Sequence, residues 1–287
     1  MIWFVFAIST ALFESTKDVF SKKSLKDVDE YVVSWSIRFF ALPFLIPLLF
    51  YTGIPSFGNQ FLIALFIGGG LDIITTILYM KAIKNSDLSI TVPMVTFTPF
   101  FLLITSPLIL GEFPKFFGLI GIILIVTGSY LANISEKRKG YMAPFRAILK
   151  ENGPKLMLAV AFVWSISSNI DKIGVRNSSP ISWVIAMNIF TALVMFPIML
   201  QKSGKNRKQI PANLKSLIPI GLFSALTLIF QMTAINLTLV SNVISVKRTS
   251  AIMSVLFGYF IFKEKCIKER LTGAAIMVIG VLFIAFS

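Results

Sequence analysis

The sequence contains no histidine and a single cysteine, Cys266. A lone cysteine excludes an internal disulfide, and the imidazole and paired thiolate ligands that hold most zinc, copper and iron ions are missing. Charge is also scarce. Of 287 residues 14% are charged and 56% hydrophobic, with a mean hydropathy of +0.83. A soluble domain carries about 25% charged residues, so this chain cannot clothe a water-facing surface. The composition excludes a soluble enzyme and, at the other extreme, a disordered chain. No Ser-His-Asp set can form, and Gly68-Gly69-Gly70 lacks the lysine and hydroxyl of a phosphate loop. Neither enzymatic activity nor a cofactor or metal is expected.

What the chain has in abundance is long apolar runs. A membrane-crossing helix needs about 20 mostly apolar residues. Charges and Pro/Gly/Asn clusters divide the chain into ten such runs, near 2–20, 31–51, 60–80, 88–110, 116–134, 155–175, 181–200, 216–236, 240–262 and 270–286. The expected fold is an all-α membrane protein of ten transmembrane helices. The first run is not a cleavable signal peptide, because such peptides begin with a positive region and the first basic residue here is Lys17.

The formal net charge of +14 suggests a nucleic-acid binder until its distribution is read. Of 27 Lys and Arg, 20 fall in odd-numbered loops and two, Lys115 and Arg176, in even-numbered ones. A nucleic-acid binder gathers its charge on one folded face; a one-sided comb of loops is the positive-inside pattern. It predicts a cell-membrane protein with odd loops in the cytoplasm and both termini outside. The expected partners are the lipid bilayer and a small-molecule substrate, with no nucleic acid, in a monomer or homodimer.

The sequence also repeats itself. A shift of 152 positions aligns residues 61–134 with 213–286 without a gap, and 15 of the 74 pairs are identical, including Gly69/Gly221, Thr75/Thr227, Glu112/Glu264, Gly121/Gly273 and Gly128/Gly280. Residues 1–134 and 155–287 thus read as two five-helix repeats joined by a basic loop, 135–154. Five is odd, so the second copy enters the membrane from the opposite side. Inverted repeats of this kind are common in secondary transporters, which hold substrate near the midplane and alternate access around it.

Pro99 followed by Gly111-Glu112, Gly121 and Gly128 in the first half, and Lys247-Arg248, Gly258, Glu264, Gly273 and Gly280 in the second, resemble the drug/metabolite transporter superfamily, EamA type. Ala251 stands where Pro99 would recur. The resemblance implies transport and leaves the cargo open. Its ten-helix members are usually drawn with both termini in the cytoplasm, opposite to the charge comb.

Charged residues at bilayer depth cost at least about 2.5–3.5 kcal/mol on insertion scales and mark function. Lys247 and Arg248 lie about seven residues into helix nine, after Ser241, Asn242 and Ser245. They either face a cavity, where they would grip a carboxylate or phosphate, or snorkel to the interface. The pair also resembles one in the substrate site of sugar-phosphate and nucleotide-sugar translocators. Asp72, Thr75, Thr76 and Tyr79 share one face of helix three, and the repeat sets Ser224, Thr227 and Gln231 opposite them in helix eight. Arg38 is either a second anion contact or the partner of Asp72. Glu14 resembles in placement the proton and cation site of small multidrug transporters, so Glu14 and Asp72 are the candidate proton-coupling groups. Lys17, Asp18, Asp171 and Lys172 read as helix-end residues near the headgroups, and Trp35 and Trp183 as belt or cavity-capping residues. The substrate-binding set is therefore Lys247, Arg248, Arg38, Asp72, Thr75, Tyr79, Thr227, Gln231 and Asn242. These features predict a secondary transporter of a small anionic or zwitterionic metabolite. A flippase for lipid-linked intermediates and an organic-cation or drug exporter are the alternatives.

Overall fold

The computed structural model describes residues 2–113, 118–132, 151–265 and 267–285, and these are helical with no strand among them. Cys266, Lys115 and most of the basic loop at 135–154 lie outside the described residues. The helical stretches are α1 (Ile2–Ser24), α2 (Glu30–Thr52), α3 (Phe61–Asn85), α4 (Leu88–Leu110), α5 (Gly118–Ala132), α6 (Asn152–Arg176), α7 (Pro180–Ser203), α8 (Leu214–Leu237), α9 (Val240–Phe262) and α10 (Ile267–Ala285).

Among the described residues seven helices are long and apolar enough to cross a membrane: α2, α3, α4, α6, α7, α8 and α9. The other three differ for plain reasons. The apolar run of α1 contains Glu14, Lys17 and Asp18, α10 starts with Lys268-Glu269-Arg270, and α5 is 15 residues in its described part. The crossing helices bear large exposed apolar side chains, such as Leu62, Ile63, Phe66 and Ile67 on α3 and Leu193 on α7. Contiguous apolar surface of that kind is stable against lipid, not water. The chain is an integral membrane protein.

Helix ends follow local chemistry. Asp29 caps α2 by accepting from the Tyr31 N–H at 2.9 Å, and Ser179 caps α7 ahead of Pro180. α4 ends at Gly111 in the left-handed conformation, φ 68°, and α9 ends at Lys263 with φ 55°. These two positions are paired by the 152-residue shift.

The chain forms two compact units, each drawn from both halves of the sequence. One comprises residues 1–80 and 167–238, the other 81–166 and 239–287. In the first unit α1 lies along α8, with Phe13 against Phe230 (ring centroids 5.4 Å apart) and Phe20 stacked on Phe223 (5.6 Å). α2 packs on α7, where Trp35 meets Phe196 at 5.7 Å. In the second unit α5 lies against α10 through glycines: a Cβ on Gly128 would stand 2.6 Å from the Gly273 carbonyl oxygen, and one on Gly280 2.6 Å from that of Gly121. Glycine here permits the backbones to touch, as small residues do between membrane helices.

Three helices are discontinuous. α2 breaks at Phe40–Ala41 and passes through a 3₁₀ turn at Ile46–Leu48. α4 passes through a tighter 3₁₀ turn at Val92–Thr96, where Pro93 supplies no backbone N–H. α9 breaks at Arg248–Thr249, between Val240–Lys247 and Ser250–Phe262, without a proline. The 152-residue shift carries Thr96 onto Arg248, so the breaks in α4 and α9 fall at the same register.

Candidate functional site

In the first unit, α2 and α3 bring Arg38 to Asp72. The Arg38 Nη2 donates to Asp72 Oδ1 at 2.5 Å and to Thr76 Oγ1 at 3.1 Å. Of the two roles open to Arg38, the structure shows the ion pair. Thr75 is fully buried and sends its hydroxyl back to the carbonyls of Leu71 (3.0 Å) and Asp72 (3.1 Å). Thr227, on α8, does the same toward Phe223 at 2.7 Å, and Gln231 beside it is buried. In both threonines the hydroxyl proton is used within the helix, leaving oxygen lone pairs for other contacts.

A second cluster of the same unit joins the polar faces of α1 and α3. The Tyr79 hydroxyl donates to Asp18 Oδ2 at 2.7 Å. Lys17 lies 5.6 Å from the Tyr79 ring centroid and pairs with Glu14 at 3.0 Å. Glu14 is buried, and so are Asp18, Asp171 and Lys172. Asp18, Asp171 and Lys172 are thus enclosed by protein rather than solvated. α1 continues to Ser24, beyond the expected end at 20, which sets Asp18 inside the helix rather than at its tip. Lys172 is satisfied by the Thr238 carbonyl at 3.0 Å.

Of the two roles open to Trp183, full burial fits the capping of a cavity rather than a belt. Its ring rests on Gly174, where a Cβ would be 2.3 Å away, and its Nε1 donates to Asp171 Oδ1 at 3.0 Å. Trp35 is buried as well and stacks on Phe39 at 4.5 Å. Between these side chains lies a small cavity of about 30 Å³, bounded by Arg38, Asp72, Ser167, Asp171, Trp183 and Asn188, with Met187, Leu228 and Met232 completing its wall. From sequence Asp171 reads as a helix-end residue, and Asn188 carries no assigned role. A short polar spacing, Ser167 to Asp171, was the available signal.

In the second unit, Lys247 and Arg248 sit at the break in α9. They are 7% and 1% exposed, so both are enclosed by protein. Arg248 Nη2 donates to Thr98 Oγ1, on α4, at 2.9 Å. Both cations lie over the ring of Trp164, Lys247 Nζ at 5.5 Å and Arg248 Cζ at 5.1 Å from its centroid. Cation–π contact of this kind stabilises desolvated charge. Asn242, half-buried one helical turn earlier, holds its Oδ1 3.5 Å from Ser241 Oγ. Trp164 and Thr98 were not foreseen, because nothing in sequence spacing connects them to residues 247 and 248.

The same unit explains Glu264. Its carboxylate accepts from the backbone N–H groups of Leu88 (2.8 Å) and Ser89 (2.9 Å), the unpaired donors that open α4. Arg270 closes the arrangement on Asp87 at 3.0 Å and on Ser89.

Comparison with known proteins gives this geometry a family. A protein named as an uncharacterized transporter from Archaeoglobus fulgidus is 22% identical over 99% of this chain and 98% of its own length. Another of that name from Clostridium kluyveri is 30% identical over 48% of this chain and 46% of its own. A solved crystal structure superposes with a TM-score of 0.69 at 13% identity, covering 98% of this chain and 95% of that one, a likeness of fold alone. These names point to a transporter rather than an enzyme. The EamA-like transporter family matches residues 1–134 and 152–286. With nearly its whole length matched, this chain belongs to the EamA-like transporter family, within the drug/metabolite transporter superfamily.

Proposed function

We propose that the protein is a secondary transporter that moves a small anionic or zwitterionic metabolite by alternating access. The observation that carries this is the buried Lys247-Arg248 pair at the break in α9. Two cations enclosed by protein in a transporter family are suited to an anionic group, since a guanidinium fork matches carboxylate or phosphate and the lysine adds a point charge. Discontinuous helices at substrate sites are a recurring device in transporters, and the matching breaks in α4 and α9 fit that device. The reading includes ten crossings arranged as two inverted five-helix repeats, supported by the ungapped 152-residue repeat. Gradients or solute exchange supply the driving force, and Glu14 and Asp72 are the proton-coupling candidates.

The test is uptake into proteoliposomes of a panel of sugar phosphates, carboxylates, amino acids and organic cations. Arg248→Ala and Lys247→Ala should each lower transport of anionic solutes at least tenfold, a loss of about 1.4 kcal/mol of binding. Normal transport by both variants would refute the assignment. Transport of organic cations alone would move the site to Glu14 and Asp72 and favour a drug exporter.

We also place the protein in the cell membrane with both termini outside, from the one-sided comb of Lys and Arg. Single cysteines introduced at Lys205 and Asn59, in a Cys266→Ser background, test this. A membrane-impermeant reagent applied outside should label position 59 and spare 205; the reverse pattern would invert the topology.

A further inference from the structure

Asn188, on α7, is fully buried and lines the cavity of the first unit. Its Nδ2 donates to the Val184 carbonyl one turn back at 2.7 Å, while its Oδ1 is buried and accepts no hydrogen bond. Rotating the amide would not relieve this, because it would set two acceptor oxygens against each other at the Val184 carbonyl. Arg38 lines the same cavity. Its Nη2 is spent on Asp72 and Thr76, and its Nε is a buried donor with no acceptor. Two residues that line one cavity thus carry an unmet acceptor and an unmet donor. A buried polar group left unpaired costs stability, and leucine, close in size to asparagine, would fill this position without that cost.

We propose that Asn188 is a specificity-determining residue of a solute-binding site within the first unit. Its Oδ1 accepts a hydrogen bond from an N–H or O–H of the transported solute, and Arg38 Nε donates to an acceptor on the same molecule. The chemical class is a small solute with a donor beside an acidic group: an ammonium or hydroxyl next to a carboxylate. The cavity has room for about one water in the present conformation. The solute spreads its wall, where Met187 and Met232 provide deformable side chains. This inference rests on the transporter reading above.

The test uses the full-length protein with solutes matched in charge and differing in the donor: glycolate against acetate, and glycine against N-trimethylglycine. Dissociation constants come from thermal shift in detergent, and uptake from proteoliposomes. Wild type should prefer the donor-bearing member of at least one pair about tenfold or more, the scale of one good hydrogen bond. Asn188→Leu should abolish the preference while its ligand-free melting temperature stays level or rises. Preference retained in Asn188→Leu overturns the proposal. So does a lower melting temperature with preference unchanged, which would make Asn188 the holder of a structural water only. Absence of preference in wild type overturns it too. Uptake without donor preference would sink this inference and leave the transporter reading standing. Preference in binding without uptake of any solute would do the opposite.

Discussion

The Arg38–Asp72 pair permits a quantitative test of how this fold holds charge inside a membrane. The two side chains meet at 2.5 Å with 11% and 17% of their surface exposed. A hydrogen bond between charged groups contributes about 1.5–3 kcal/mol net. Removing one partner of a buried pair costs about 3–5 kcal/mol, because the other charge stays desolvated. Arg38→Met should therefore destabilise by about 3 kcal/mol, roughly 6–12 °C in melting temperature by soluble-domain scaling. Asp72→Leu strands the guanidinium and should cost a similar amount. In the double variant neither charge remains, so the loss should be smaller than the sum, with a coupling energy of about 1.5–3 kcal/mol. The assay is a double-mutant cycle on purified protein, followed by thermal or SDS-induced unfolding in detergent. A coupling energy under about 0.5 kcal/mol, the ordinary additivity error, would refute the reasoning and show that each residue is stabilised by other neighbours.

Two further predictions concern backbone geometry. Gly128→Ala places a Cβ 2.6 Å from the Gly273 carbonyl oxygen and should cost about 1–3 kcal/mol by forcing α5 and α10 apart; Gly70→Ala, with nothing within 4 Å, should be neutral or slightly stabilising. Equal melting temperatures for the two variants would show that the helices are not in glycine-mediated contact. Lys263→Gly relieves a left-handed lysine and should raise stability by about 0.5–1 kcal/mol, whereas Gly111→Ala at the paired position should lower it. A melting temperature that falls in Lys263→Gly would argue that the lysine side chain contributes more than its backbone strain costs.

Much of this protein was legible in its composition. Lipid rewards a simple rule, that each crossing segment be long, apolar and internally hydrogen-bonded, so the helical runs are readable one at a time from local sequence. Glycine spacing was equally readable: Gly121, Gly128, Gly273 and Gly280 repeat at seven residues, and the structure presses each pair against the facing backbone. The charge deep in α9 singled out Lys247 and Arg248, with a cavity or the interface as the two places open to them.

Which partners those charges take was decided only in three dimensions. Arg38 had two roles open to it, and the packing of α2 on α3 gave it Asp72. Trp164, 83 residues before Lys247, became the surface under both cations, and Asp171 acquired the indole N–H of Trp183. Asp18 and Asp171 read as end residues because the expected runs, 2–20 and 155–175, close two to four residues after them. α6 does end at Arg176, but α1 runs on to Ser24, since a charge that finds a hydrogen-bond partner inside the bundle need not end the span. Hydropathy is a sum over neighbours in the chain. Hydrogen-bond partners are neighbours in space, and no local pattern of residues encodes them.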